Sequence, residues 1–176
     1  MILIEQLSPE KACNEAQAIV SVYRDVWVET FQNAELGITR ADLVNEFFEL
    51  DDITARWQRR ILNDSDRAVW VARGSDSIEI IGFCIARKGR DENELEFIFV
   101  RSEFQHAGIG KQLLVEAFDW LGGGKVILID AAASNGEAIK KYQRMGFVLL
   151  AEAQESKVLK NGKHMPWVRL RRPAEF

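Results

Sequence analysis

A strand-to-helix turn in the second half of the chain carries the residues best suited to binding an anion. The strand predicted over Glu94–Val100 leads into Gln105-His106-Ala107-Gly108-Ile109-Gly110-Lys111, where a helix is predicted to begin. A helix N-terminus presents unpaired backbone N–H groups and the positive end of the helix dipole. Gly108 and Gly110 would let the backbone approach phosphate oxygens without interference from side chains. The turn therefore predicts a site for an anion such as a pyrophosphate.

Two common phosphate-binding loops do not fit this turn. A Walker A loop begins with glycine and ends with serine or threonine, whereas the corresponding residues here are Gln105 and Gln112. A dinucleotide fingerprint has three glycines after an N-terminal strand, whereas this turn has two glycines and lies late in the chain. The remaining pattern is Gln-x-x-Gly-x-Gly after a strand that ends in valine.

This pattern resembles the GNAT superfamily of N-acetyltransferases, whose signature is Arg/Gln-x-x-Gly-x-Gly/Ala. Gln105, Gly108 and Gly110 match the signature. A second segment, Asn135-Gly136-Glu137-Ala138-Ile139-Lys140-Lys141-Tyr142-Gln143-Arg144-Met145-Gly146-Phe147, resembles the family's Asn-x-x-Ala-x-x-x-Tyr-x-x-x-Gly-Phe helix. The match covers about residues 68–150. The first 66 residues agree with the family only in the order of two helices.

The resemblance implies a site for acetyl-CoA as co-substrate, with no metal. It implies that the strand Glu94–Arg101 separates from the strand Lys125–Asp130 and that the pantetheine arm pairs in the gap. Asn135 would bond the pantetheine arm, and Tyr142 would direct its hydroxyl toward the CoA sulfur. Backbone groups of Ile98, Phe99 and Val100 would bind the pantetheine. The pyrophosphate would be bound by backbone groups of Gln105, His106, Ala107, Gly108, Ile109, Gly110 and Lys111. Two alternatives stay open: Asn135 as a helix cap only, and Tyr142 as core packing.

An amine acceptor must lose a proton before it attacks a thioester, because its pKa is near 10. Glu94 and Glu96 are predicted to alternate onto one face of their strand, together with Ile98 and Val100. Glu96 is the first candidate for the base, Glu94 the second, and Tyr142 the candidate that assists departure of the thiolate. Direct transfer in a ternary complex is preferred, since no cysteine lies near these motifs.

The acceptor is predicted to be a small, polyamine-like amine. Glu94-Leu95-Glu96-x-Ile98-Phe99-Val100 followed by Phe104-Gln105 looks closest to the polyamine-acetyltransferase branch of the family. Protein or peptide amines remain an alternative acceptor class. Two other functions also remain: a non-catalytic module that binds or senses CoA, and a partner-binding protein that uses the apolar region around Met165-Pro166-Trp167.

Composition limits the partners and the location. The net charge is −4, with an acidic first part of the chain, which argues against nucleic acid because phosphate contacts require clustered lysine and arginine. Neither a signal peptide nor a run of about 20 apolar residues is present, so no membrane contact and a cytoplasmic location are expected. The two cysteines, Cys13 and Cys84, fit no disulfide or zinc pattern. A homodimer is left open.

The periodicity of apolar residues predicts one α/β domain with the element order βααβββαβαββ and a mixed, mostly antiparallel sheet flanked by helices. The helices are expected over residues 9–35, 39–62, 108–121 and 134–145, with a capping box from Ser134 to Glu137. Within this domain, residues 1–66 would form the substrate-side helices, residues 68–150 the acetyl-CoA-binding core, and residues 151–176 the closing strands.

Overall fold

The computed structural model describes residues 2–62, 64–74 and 77–174, without the side chains of Leu62 and of residues 151–155. Six α-helices and seven strands follow one another within these ranges. In chain order they are β1 (Ile2–Leu7), α1 (Pro9–Asn14), α2 (Ala16–Thr30), α3 (Arg40–Asn45), α4 (Leu50–Leu62), β2 (Arg67–Gly74), β3 (Ile80–Arg87), β4 (Asn93–Val100), α5 (Ile109–Leu121), β5 (Ile127–Ala132), α6 (Gly136–Arg144), β6 (Val148–Val158) and β7 (His164–Arg172).

The predicted fold class is confirmed. The strands form one sheet in the order β1-β2-β3-β4-β5-β7-β6. The pair β4 and β5 is parallel, and the other neighbours in this order are antiparallel. Helices α5 and α6 contribute to the apolar core on one face of the sheet, and the N-terminal helices pack on the other face. This is a mixed, mostly antiparallel sheet in a single α/β domain.

The two predicted N-terminal helices are each split into two. The first breaks at Glu15, and the second breaks over residues 46–49, just before Asp51 and Asp52, which lie in the first turn of α4. Thr39 caps α3, because its hydroxyl accepts a bond from the backbone N–H of Asp42. Ser75 and Asp76, in the connection between β2 and β3, lie outside the described residues.

The sheet opens between β4 and β5. These strands pair only from Asn93 to Leu95 on β4, opposite Ile127 to Ile129 on β5. Beyond Leu95, β4 continues to pair with β3, and β5 continues to pair with β7. The two strands therefore separate toward their carboxyl ends and leave a gap in the middle of the sheet, as the family resemblance implied.

Polar contacts fasten helix α3 to the turn between β6 and β7. Asp42 accepts hydrogen bonds from Lys163 Nζ at 2.7 Å and from Asn161 Nδ2 at 2.6 Å. The bond from Lys163, supported by bonds from Thr39, holds the pKa of the Asp42 carboxyl well below its usual range. The turn is thus fixed against α3, and the end of β6 is fixed with it.

Candidate active site

A cleft of about 1060 Å³ occupies the gap between β4 and β5. This volume lies at the upper end of the range for ligand pockets. The α5 half of the cleft is formed by the start of α5, by α6 and by the residues before α5. The α2 half faces the N-terminal helices and is lined by Tyr23, Val26, Trp27, Thr30, Phe31, Glu96, Phe97, Phe99, Asp130, Lys157, Trp167 and Arg169.

The start of α5 has the geometry of an anion site. Its N-cap is Gly108, with φ of 80°, and no side chain caps the first turn. A left-handed φ favours glycine at this position. Because the backbone N–H groups of the first turn have no side-chain acceptor, they are available to an anion. Gln105, His106, Gly108, Ile109, Gly110 and Lys111 line the cleft beside them.

Gln105 contributes its side chain to this loop. Its amide Nε2 donates a hydrogen bond to the carbonyl of Val100 at 3.0 Å and so ties the loop to the end of β4. His106 adopts a left-handed backbone with φ of 67°, which is unusual for a residue other than glycine, and its side chain is exposed. These observations favour a role for His106 through its backbone alone, whereas Gln105 also uses its side chain.

Helix α6 brings Asn135 and Tyr142 to the cleft. Asn135, not Ser134, is the N-cap of α6, because its side chain accepts a bond from the N–H of Ala138 at 3.2 Å. Asn135 therefore caps α6, and it also lines the cleft. Tyr142 is 8% exposed, and its ring packs against Phe147 at 6.0 Å. No hydrogen bond to the Tyr142 hydroxyl is found among the described residues.

Basic residues on α6 were missed as candidates from the sequence. Lys140, Lys141 and Arg144 line the cleft. A methyl group placed on Gly110 would lie 3.5 Å from Lys141 Nζ, so this ammonium stands directly beside the start of α5. Their positive charges add to the helix dipole at an anion site. The segment from Asn135 to Phe147 has three basic residues within the five positions 140–144. This cluster of positive charge is a signal that could have identified them as candidates.

The expected alignment of Glu94, Glu96, Ile98 and Val100 on one face of β4 is wrong. Ile85 pairs with Phe97 and Ala86 pairs with Leu95, so Glu96 is an extra residue in a β-bulge. A bulge shifts the alternation of side chains by one position. As a result Ile98 and Val100 pack toward α5, whereas Phe97 and Phe99 pack toward the N-terminal helices.

The two glutamates differ in their access to the cleft. Glu94 is not among the residues that line it, and its half-exposed carboxylate bonds Arg87 at 2.8 Å. Glu96 does line the cleft, but its side chain is 5% exposed and is held by arginines. Arg67 donates to both Glu96 oxygens, at 2.7 and 2.9 Å, and Arg60 donates to Oε1 at 2.5 Å. This geometry favours a structural brace and does not support Glu94 as a base.

Glu96→Gln is expected to lower the free energy of unfolding by about 2 kcal/mol, because the buried guanidinium of Arg67 loses one of its two counter-charges and keeps only Asp64 at 2.9 Å. For a chain of this size the melting temperature should then fall by roughly 4 to 8 °C. Thermal unfolding followed by circular dichroism measures the change.

Glu94→Gln is the matched control on the same strand. Its carboxylate is 37% exposed and bonds a partly exposed arginine, so the loss should stay below about 1 kcal/mol. Equal losses in the two variants would contradict the bracing role of Glu96.

The α2 half of the cleft is aromatic. The ring of Tyr23 contacts Trp27, Phe97 and Phe99 at centroid distances of 5.5, 5.7 and 5.1 Å. Trp167 stacks on Trp27 at 5.9 Å. Burial raises the pKa of the Tyr23 hydroxyl, and the charge of Glu46 adds a smaller effect in the same direction. The alternative of a partner-binding surface around Met165-Pro166-Trp167 gains no support, because Trp167 lines the cleft and Met165 is buried.

Solved structures show the same fold over the whole chain. The PaiA N-acetyltransferase from Thermoplasma acidophilum, in complex with coenzyme A, is 19% identical, with a TM-score of 0.64 over 98% of this chain and 99% of that one. An acetyltransferase of the GNAT family from Streptococcus pneumoniae is 18% identical, with a TM-score of 0.68 over 98% and 99%. YncA from Salmonella typhimurium, with acetyl-CoA, is 18% identical, with a TM-score of 0.64 over 100% and 95%.

A family model matches the middle part of the sequence. Residues 65–149 match the model of the acetyltransferase (GNAT) domain. This segment runs from the start of β2 to the start of β6 and contains the turn before α5, the β4–β5 gap and α6. The chain therefore carries an acetyltransferase (GNAT) domain over residues 65–149, within a fold that solved acetyltransferase structures share.

Proposed function

We propose that this acetyltransferase moves the acetyl group of acetyl-CoA onto a primary amine by direct attack in a ternary complex. The observation that carries the proposal is the single cleft through the sheet, which has an anion site at the start of α5 and opens on its other side to an aromatic wall. An acyl donor held from the α5 half and an amine from the α2 half would meet between β4 and β5. The relatives bound to coenzyme A and acetyl-CoA support this choice of donor.

The donor would be held by the residues of the α5 half. Backbone amides from Gln105 to Lys111 would bind the pyrophosphate, with Lys141 beside them. Backbone groups of Ile98, Phe99 and Val100 would pair with the pantetheine arm along the open edge of β4, and Asn135 would bond the same arm from α6. The domain divides accordingly into substrate-side helices (residues 1–66), an acetyl-CoA-binding core (residues 68–150) and closing strands (residues 151–176).

The chemical step would join the amine nitrogen to the acetyl carbon and break the bond from that carbon to sulfur. Tyr142 would donate a hydrogen bond to the departing thiolate. Burial, reinforced by Cys84, raises the pKa of Tyr142, so the hydroxyl stays protonated at neutral pH. A tyrosine with a raised pKa stabilises a thiolate by a hydrogen bond without giving up its proton, because a thiol is the stronger acid.

The proton of the amine needs an acceptor, and Glu96 stays a prediction for that role. Glu96 is the first candidate because it lines the cleft, whereas Glu94 does not. Its arginine partners would have to release an oxygen for it to act directly, so transfer through water is the route that we propose. In a folded Glu96→Gln variant, a loss of rate at neutral pH that recovers as the pH approaches the amine's own pKa would identify Glu96 as the base.

The class of amine that accepts the acetyl group is the next part of the proposal. A small polyamine was predicted, and it would require several free carboxylates to bind its ammonium groups. The carboxylates of the α2 half, Glu96 and Asp130, are both bonded to arginine, and Asp130 bonds Arg169 at 2.7 and 2.8 Å. The side chains described here thus give little support to a polyamine. Protein or peptide amines remain the alternative.

Release of free thiol from acetyl-CoA, measured with a panel of amines, tests the proposal. The panel holds spermidine, aromatic and aliphatic monoamines, free amino acids and a short peptide. We expect amine-dependent release, with the acetylated amine detected by mass spectrometry. If coenzyme A binds but no amine in the panel accelerates thiol release, the chain is a module that binds or senses CoA.

The proposal extends to location and assembly. None of the helices within the described residues is both long and apolar enough to cross a membrane. A cytoplasmic location and a homodimer stay predictions, and fractionation and light scattering would test them.

A further inference from the structure

The α2 half of the cleft holds a lysine whose charge has no bonded counter-ion among the side chains that the structure describes. Lys157 is half-buried, and its Nζ lies 4.0 Å from the centroid of the Trp27 ring. Over the part of the chain that the structure describes, this cation–π contact is the ammonium's one close interaction, and no salt bridge to it is found. The nearby charge of Glu46 acts on it from a distance, and the Glu46 carboxylate itself accepts a bond from the backbone of Lys160.

Two further donors stand beside this lysine. The indole Nε1 groups of Trp27 and Trp167 are buried, and neither has a hydrogen-bond partner among the described residues. The two rings stack at 5.9 Å, and both line the cleft. A buried donor that remains unpaired destabilises a protein. One small region therefore combines a cation and two N–H donors.

Negatively charged groups are few among the described side chains of the same half of the cleft. The described carboxylates that line it are Glu96 and Asp130, and arginines hold both of them. Burial lowers the pKa of the Lys157 ammonium, and the charge of Glu46 partly offsets this effect. A bound anion would relieve the desolvated charge. The remaining walls are aromatic rings, which suit an apolar body.

We infer that the acceptor is an amine that also carries a carboxylate and an apolar body, such as a hydrophobic amino acid, and that Lys157 binds its carboxylate. The inference rests on the proposed function and specifies its acceptor. The carboxylate lies against Lys157 and the indole donors, and the apolar part lies against the aromatic wall. The amine then points into the gap between β4 and β5.

Phenylalanine and phenethylamine test the inference, because they differ only by the carboxylate. Calorimetry on the CoA-saturated protein measures binding without turnover. We expect phenylalanine to bind about 10- to 100-fold more tightly than phenethylamine, the range of one charge-assisted hydrogen bond. Spermidine should bind more weakly than phenylalanine.

Lys157→Met removes the charge but keeps an unbranched side chain over Trp27. In this variant the preference for phenylalanine should fall to about threefold or less, whereas the affinity for phenethylamine stays within about threefold of wild type. Lys157→Arg should retain most of the preference. Circular dichroism confirms that each variant is folded.

Three outcomes would overturn the inference: phenethylamine or spermidine binding as tightly as phenylalanine, equal weakening of both amines by Lys157→Met, or no binding of either amine. The proposed function is judged separately by thiol release. Acetylation of spermidine or a simple monoamine alone would uphold transfer to an amine and reject the carboxylate-bearing acceptor.

Discussion

Gly110→Glu is expected to abolish measurable acetyl-CoA binding while the protein remains folded. Gly110 lies in the first turn of α5, where the backbone N–H groups have no side-chain cap. A glutamate there would place its own carboxylate at the proposed pyrophosphate site and would repel a second anion. Because several of the proposed phosphate contacts depend on this turn, we expect affinity to fall by at least about 100-fold. Calorimetry with acetyl-CoA measures the loss.

The space around Gly110 explains why the fold should survive. A Cβ at this position would meet Lys141 Nζ at 3.5 Å and Val100 Cγ2 at 3.8 Å, which are ordinary contact distances. The backbone of Gly110 is helical and needs no left-handed conformation, unlike that of Gly108. Substitution by a residue with a side chain is therefore tolerated locally.

Gly110→Ala is the matched control. It adds the same Cβ without the charge and should raise stability by about 0.5 to 1 kcal/mol, because alanine favours a helix more than glycine does. Its affinity for acetyl-CoA should stay within about tenfold of wild type. Wild-type affinity in a folded Gly110→Glu variant would show that the phosphate does not bind at this turn.

The parts of the site that could be predicted from the sequence are those set by local signals. Gly108 and Gly110 after a β-rich segment predict a strand-to-helix turn, and the structure has α5 beginning there. The segment from Asn135 to Phe147 predicts a helix, and α6 brings Tyr142 to the cleft. Such signals lie within a dozen residues, so spacing alone is informative.

The parts that could not be predicted depend on contacts between distant segments. The bulge at Glu96 arises in the pairing of β4 with β3, and nothing in Glu94–Val100 itself indicates which residue will be extra. The arginines that hold Glu96 come from α4 and β2. Lys157 meets Trp27 across 130 positions of sequence. A residue's charge partners are a property of the assembled fold, which periodicity does not encode.

The other large effect is expected for Tyr142→Phe, which should lower kcat about 10- to 1000-fold, the contribution of one hydrogen bond or general acid in a transition state. The ring would keep its packing against Phe147, and removal of the hydroxyl would leave no described acceptor unpaired. The fold and the Kd for acetyl-CoA should therefore change little.

Rapid-quench measurement of the acetyl-transfer step separates this effect from product release, which can hide a slower chemical step in steady-state kcat. Because burial raises the pKa of Tyr142, its hydroxyl remains a donor throughout the neutral and mildly alkaline range. The ratio of the wild-type rate to the variant rate should then be constant from about pH 7 to pH 9. A ratio that changed within this range would mean that Tyr142 itself titrates there. If the transfer step is as fast in Tyr142→Phe as in the wild-type protein, the hydroxyl does not assist the leaving thiolate. Tyr142 then has only a packing role in the core.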